Sequence, residues 1–144
     1  MSGRVLVLDT SVFIKWYRQH EEHAAEALAL RDAYLAGDVL LVEPDVAVYE
    51  FANVMRYMDE LSTEQVQLAV DALLALPIRW LKPDADLMTH TVALARERDT
   101  TVYDTVFAAL AQAVGALYVT ADMRFVRRSG DLDFVRPLAG FRLT

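Results

Sequence analysis

Short apolar runs alternating with helix-period segments over 144 residues predict an α/β fold, a three-layer α/β/α sandwich around a mostly parallel sheet in one domain spanning 1–144. Three observations carry this expectation. The runs that read as strands are apolar at successive positions, as strands buried on both faces are. Each is followed by enough helical sequence to cross back over a sheet. The five glycines and four prolines stand singly between such segments, with no repeat, low-complexity tract or linker.

Residues Arg4–Leu8 form the first apolar run, ending at Asp9. Helical stretches are expected over 11–18 and 22–35, the second rich in Ala, Leu and Glu and closed by Gly37. A short strand fits 39–42, and Pro44 then opens a helix over about 45–58, with apolar positions at Val46, Tyr49, Val54 and Met58. The box-like start Ser62-Thr63-Glu64-Gln65 introduces a helix over 62–76. A third strand at 78–81 lies between Pro77 and Pro83; helices follow over 84–98 and 105–114, the latter closed by Gly115. A buried strand at 116–120, a short helix at Met123–Arg128 and an edge strand at 134–138, interrupted by Pro137, complete the chain.

Composition narrows the chemistry. There is no cysteine, which excludes disulfides, thiolate zinc, iron–sulfur clusters and a cysteine nucleophile; a metal must sit on oxygen or imidazole. Hydrophobic residues make up 55% of the chain, yet no stretch of about 18 uncharged apolar residues occurs, and the apolar start is too short for a signal peptide, so a soluble cytoplasmic protein is expected. The formal charge is −7, divided between −10 over 1–122 and +3 over 123–144. All but two of the basic residues are arginine, the better bidentate phosphate ligand. A solvated surface and an RNA-facing patch account equally for the positive end.

Four acids stand where an ordinary core would not place them: Asp9 at the end of the first strand, Glu50 in the Pro44 helix, Asp104 at the start of the most apolar helix, and Asp122 just past the fourth strand. Ligands of open α/β sheets bind outside the carboxyl ends of the strands, the edge where Asp9 and Asp122 fall. Glu50 shares a helix face with Val46, Asn53 and Val54 and is expected to look inward. Singly, each aspartate reads as a helix cap and Glu50 as a surface residue. Jointly, converging carboxylates without Lys or Arg between them call for a divalent cation, and an all-oxygen set selects Mg²⁺ or Mn²⁺ over zinc.

The strings Val5-Leu6-Val7-Leu8-Asp9-Thr10-Ser11-Val12, Tyr49-Glu50-Phe51-Ala52-Asn53-Val54, Tyr103-Asp104-Thr105-Val106-Phe107-Ala108-Ala109-Leu110-Ala111 and Tyr118-Val119-Thr120-Ala121-Asp122-Met123-Arg124-Phe125 resemble, in order and spacing, the PIN-domain ribonucleases, and most of all the VapC toxins of toxin–antitoxin pairs. The resemblance implies strand order 3-2-1-4-5. It implies that Asp9, Glu50, Asp104 and Asp122 hold Mg²⁺ or Mn²⁺, directly or through water, and that Ser11, Asn53 and Thr120 support them, Asn53 by orienting Glu50. The activity implied is endonucleolytic hydrolysis of RNA leaving 5′-phosphate and 3′-hydroxyl ends, its general base either water activated by the ion or a carboxylate, Asp104 or Asp122. Arg124 reads equally as a substrate-phosphate ligand and as a solvent-facing residue. The family adds a small antitoxin that inserts a helical peptide into a groove, and the excess of apolar residues points to a homodimer.

Other conspicuous residues read as structure. His20 and His23 begin a solvated helix, His90 is a surface or satisfied residue, and Trp16, Tyr17 and Trp80 pack in the core or an interface. A phosphoreceiver module fails for want of an acid pair after the first strand, an Asp after the third and a Lys after the fifth. A haloacid-dehalogenase-like phosphatase fails because Ser11 stands where a second Asp is required. A PIN-like scaffold without activity and a DNA- or structure-directed nuclease are the alternatives that remain.

Overall fold

A computed structural model describes residues 4–143. Among them the chain runs β1 (Arg4–Leu8), α1 (Thr10–Lys15), α2 (Ala24–Leu35), β2 (Val39–Pro44), α3 (Val46–Arg56), α4 (Thr63–Ala75), β3 (Arg79–Leu81), α5 (Ala85–Arg98), α6 (Val102–Val114), β4 (Leu117–Thr120), α7 (Met123–Arg128) and β5 (Val135–Pro137). The strands form one sheet of order β3-β2-β1-β4-β5 with every pairing parallel. The expected sandwich and strand order are both present.

The sheet is flanked on both faces. Leu6 and Leu8 of β1 point with Val119 into a core built with α1 to α4, which buries Phe13, Trp16, Phe51 and Met55. Val7 points the other way with Tyr118 and Val135, against Phe107 and Leu110 of α6 and Phe125 of α7. This alternation is the strand period of two. It explains why β1 is apolar throughout: each face of the central strand meets a different core. On the second face the rings of Phe107 and Tyr118 stack with centroids 5.9 Å apart, and Tyr118 meets Phe125 edge-on at 5.7 Å.

The register opens the carboxyl edge of the sheet. β1 pairs with β2 only from Arg4↔Val39 to Leu6↔Leu41, and with β4 from Leu6↔Leu117 to Leu8↔Val119. β2 in turn leaves β1 and pairs with β3 from Val42↔Arg79 to Pro44↔Leu81. Beyond Leu6 the two strands separate, and the backbone N–H of Leu8 is satisfied by the side chain of Glu43, whose Oε2 accepts at 2.7 Å.

Several element boundaries differ from expectation by a few residues, among them the end of the first helix at Lys15, and two differ for identifiable local reasons. Pro44 ends β2 instead of opening a helix; its missing N–H costs nothing there, because the pairing to β3 closes with it. Helix α6 begins three residues earlier than the apolar run, because the Thr101 side chain caps it by accepting from the N–H of Asp104 at 3.1 Å. The buried stripe of α3 also differs. It runs through Ala47, Phe51 and Met55 and on to Met58, while Tyr49 is 74% exposed and Val54 41%. Both stripes satisfy the helical period in sequence, and packing selects the one carrying Phe51, which fits edge-on beneath Tyr17 with centroids 5.6 Å apart.

Candidate functional site

Asp9 follows the last residue of β1, and its backbone is pinned from the neighbouring strand: its N–H donates to the carbonyl of Val119 at 2.9 Å. The carboxylate caps α1, with Oδ2 accepting from the Ser11 N–H at 3.3 Å and from the Ser11 hydroxyl at 2.5 Å. Burial pushes its pKa up, the two Ser11 hydrogen bonds pull it back, and the charges of Asp104 and Asp122 push it up again. The capping reading and the functional reading of Asp9 are therefore compatible: one oxygen is engaged by Ser11.

Glu50 projects from the middle of α3, half-buried. Its Oε1 accepts from the Thr10 hydroxyl at 2.8 Å. Burial raises its pKa, the Thr10 bond lowers it, and Asp9 and Asp104 raise it further. Asn53, expected to orient Glu50, is exposed and makes no hydrogen bond to it among the described residues; Thr10, the first residue of α1, performs that task. Asn53 lies three residues along α3, where Val54 beside it is also exposed.

Asp104 and Asp122 complete the group from the other face of the sheet. Asp104 lies in the first turn of α6, half-buried, and because Thr101 supplies the cap its carboxylate is not spent on the helix end. Asp122 does cap: its Oδ1 accepts from the N–H groups of Arg124 at 3.0 Å and Phe125 at 3.1 Å at the start of α7. Its own N–H donates to the hydroxyl of Thr120 at 3.0 Å, and Thr120 is fully buried at the end of β4. Arg124 is exposed, with no ion pair among the described residues.

The structure thus brings Asp9 into electrostatic range of Asp104, Asp122 and Glu50, at the carboxyl edge of β1 and β4 and the adjoining helices. Hard oxygen donors are the only ligands offered there. Among the described residues no group of three His, Asp or Glu stands gathered as a ready metal cluster. The donor set fits a hard divalent ion by its chemistry: carboxylates whose pKa values are raised by burial and, to a lesser degree, by their neighbours' charges are relieved by bound positive charge.

One residue at this edge was not read from the sequence. Glu43 on β2 is fully buried, with Oε2 accepting from the Leu8 N–H and Oε1 without a hydrogen-bond partner among the described residues. Burial drives its pKa well above the usual carboxylate range, the Leu8 bond opposes this, and Asp9 adds to it. The signal available in sequence was an acid inside an apolar run, Val39 to Pro44, where a turn residue is the simpler reading. His20 and His23 do not join the acids: His20 contacts Arg18 and His23 pairs with Glu22 and Glu26. Trp16 is buried with its indole N–H donating to the Ala27 carbonyl at 2.9 Å.

The family model described as PIN domain matches residues 6–131. The chain belongs to the PIN domain family. Among solved structures, it is similar to a toxin–antitoxin complex from Klebsiella pneumoniae, at 18% identity and TM-score 0.65 over 90% of this chain and 94% of that one. It is similar to a VapBC complex from Rickettsia felis bound to a promoter DNA fragment, at 18% identity and TM-score 0.65 over 92% and 96%. A VapC toxin from Mycobacterium tuberculosis that cleaves the sarcin–ricin loop aligns at 13% identity and TM-score 0.63 over 81% and 87%. No curated protein matches the sequence. At these identities the likeness is one of fold, and it gives this PIN domain the five-stranded frame described above.

Proposed function

We propose that this PIN domain is a divalent-metal-dependent endoribonuclease, the toxin of a toxin–antitoxin pair, acting through Asp9, Glu50, Asp104 and Asp122. The observation that supports it most is that Asp9 feels the charges of Asp104 and Asp122, and Glu50 those of Asp9 and Asp104, across the ends of β1 and β4 and the helices α3 and α6. Asp9, Glu50, Asp104 and Asp122 would hold Mg²⁺ or Mn²⁺, which would supply polarisation of the scissile phosphate, a lowered pKa of water and compensation of charge in the transition state. Ser11 and Thr10 hold Asp9 and Glu50 in place, and Thr120 fixes the backbone of Asp122. No His, Lys or Tyr is arranged as a nucleophile, which favours attack by water with a carboxylate of the quartet accepting its proton. Arg124, exposed beside Asp122, is placed to meet a substrate phosphate.

RNA is the substrate favoured by the PIN fold that this chain shares with a toxin that cleaves the sarcin–ricin loop. The antitoxin reading rests on the neighbours' toxin–antitoxin complexes and on a groove of about 570 Å³ between the segment after α1 and the α3–α4 hairpin. Met55, Met58, Leu61, Leu68 and Ala69 line it, a surface suited to the apolar face of a partner helix. Exposed Leu35, Leu74 and Val92 leave apolar area for a homodimer. No described helix is long and apolar enough to cross a membrane, in keeping with action in the cytoplasm.

The test is cleavage of a mixed structured RNA by purified protein with Mg²⁺ or Mn²⁺, beside EDTA and an Asp104→Asn variant. Cleavage abolished by both supports the reading. Cleavage that survives Asp104→Asn contradicts it, and no cleavage with any metal or RNA leaves the fold as a binding module.

A further inference from the structure

A cavity of about 180 Å³ lies against the helices that carry Glu50 and Asp104 and is used by nothing described above. It opens at the carboxyl ends of β2 and β3, where the N–H of Asp45 donates to the Leu81 carbonyl at 3.0 Å. Val46 of α3, Met88 of α5, and Val102 and Tyr103 of α6 form its walls. Two of those helices are the ones that carry Glu50 and Asp104. Val46 precedes Glu50 by one helical turn, about 5–6 Å, and Tyr103 is next to Asp104 in sequence.

Size and chemistry restrict the occupant. The volume is below the roughly 300–1,000 Å³ of clefts that take drug-sized ligands, so it suits one small planar ring system and no peptide helix. The walls are apolar apart from the Tyr103 hydroxyl and one ionised group, Asp45. Asp45 stands at the start of α3, yet its side chain does not cap the helix, and among the described residues it has no hydrogen-bond or ion-pair partner. A half-buried, unspent carboxylate accepts hydrogen bonds and repels anions, so a phosphate does not fit. Tyr103 is 65% exposed and, among the described residues, takes part in no aromatic pair. An exposed ring beside a phosphodiester-cleaving centre is what single-stranded nucleic acids stack upon.

We propose that an unpaired nucleobase adjoining the bond to be cleaved docks in this cavity, its ring against Tyr103 and its exocyclic amino group donating to Asp45. The inference deepens the nuclease reading and rests on it. Cytosine, adenine and guanine each carry an amino donor, whereas uracil offers a carbonyl acceptor where cytosine has the amine, so amino-bearing bases are preferred to uracil. Duplex RNA is refused, since a paired base has its Watson–Crick edge occupied.

The experiment measures binding of the full chain, carrying Asp104→Asn to prevent cleavage, to three fluorescent single-stranded 12-mers in Mg²⁺ at fixed salt: oligo(C), oligo(U) and an abasic ribose-phosphate chain. Oligo(C) is expected to bind at least tenfold tighter than the abasic chain and about fivefold tighter than oligo(U). Adding Tyr103→Ala abolishes the advantage over the abasic chain, while Tyr103→Phe keeps it. Adding Asp45→Asn, whose amide also donates, brings oligo(U) level with oligo(C). Met88→Trp, which fills the cavity, removes both preferences. Equal affinity for all three probes, including none measurable, overturns the proposal. So does a change in oligomeric mass on Tyr103→Ala, which would assign the cavity to a second copy of the chain. Hydrolysis of bis(p-nitrophenyl) phosphate by wild type with Mn²⁺ tests the nuclease reading separately: base preference without hydrolysis keeps the base site and removes the nuclease.

Discussion

The hydroxyl of Thr10 donates to Glu50 Oε1 across 2.8 Å, tying the first residue of α1 to the middle of α3. Thr10 is buried and follows Asp9 directly, so one dipeptide, Asp9-Thr10, both supplies a carboxylate and orients another. Removing the hydroxyl while keeping the shape, as in Thr10→Val, frees Glu50 and weakens cation affinity by about 10–100-fold, the range for residues that orient metal ligands. Thr10→Ser retains most of it. Titration of Mn²⁺ against the two variants, with circular dichroism to verify the fold, checks this; equal affinity in Thr10→Val and wild type contradicts it.

Asp104 and Asp122 separate stability from activity. Asp122 accepts two N–H groups at the start of α7, so Asp122→Ala costs about 1 kcal/mol of unfolding free energy besides its effect on activity. Asp104 caps nothing and faces other negative charges. Asp104→Asn therefore lies within about 0.5 kcal/mol of wild type, on the stabilising side, while abolishing cleavage. Denaturant unfolding of the two variants in EDTA distinguishes them.

While the sheet order came from the resemblance to PIN domains, the strands and the elements that carry the four acids were legible because they rest on signals that packing does not overrule, short runs apolar on both faces and helix-period segments between them. The face of α3 was not. Val46, Tyr49 and Val54 satisfy the helical period as well as Ala47, Phe51 and Met55 do, and only the position of the sheet decides between them. The same rotation exposes Asn53 and leaves Glu50 to Thr10, a residue that in sequence is one hydroxyl among several near a helix start. Glu43 was hidden because its environment is created by two strands parting, a tertiary event with no local mark.

Glu43 gives the protein a pH dependence of determinable sign. Its pKa is raised on folding, so the folded state binds the proton more tightly than the unfolded chain. Stability from this group is fully present below its ordinary value of 4.5 and is lost as pH rises through its folded value. Glu43→Gln keeps an acceptor for the Leu8 N–H and does not titrate. Relative to that variant, wild type loses about 1.4 kcal/mol for each pH unit between roughly pH 5 and the folded pKa. Parallel urea unfolding of both proteins from pH 5 to 8 measures it; a constant difference across that range contradicts it.

Asp9 and Glu50 also hold their protons above their ordinary values of 3.8 and 4.5, so protons compete with a cation for the same oxygens. On the acid side, metal-dependent cleavage falls off at a pH above those values. Raising Mg²⁺ moves that limb to lower pH, because bound cation favours the ionised form. An acid limb that ignores metal concentration would assign it to another group.

The four carboxylates acting as one cation site is the claim on which the rest depends. Direct titration of Mn²⁺ into metal-free protein, followed by electron paramagnetic resonance, tests it for wild type and for Asp9→Asn, Glu50→Gln, Asp104→Asn and Asp122→Asn. Saturable binding by wild type, weakened at least tenfold by each of the four changes in folded protein, is the predicted result. Binding that is absent from wild type, or undiminished by these substitutions, would contradict it.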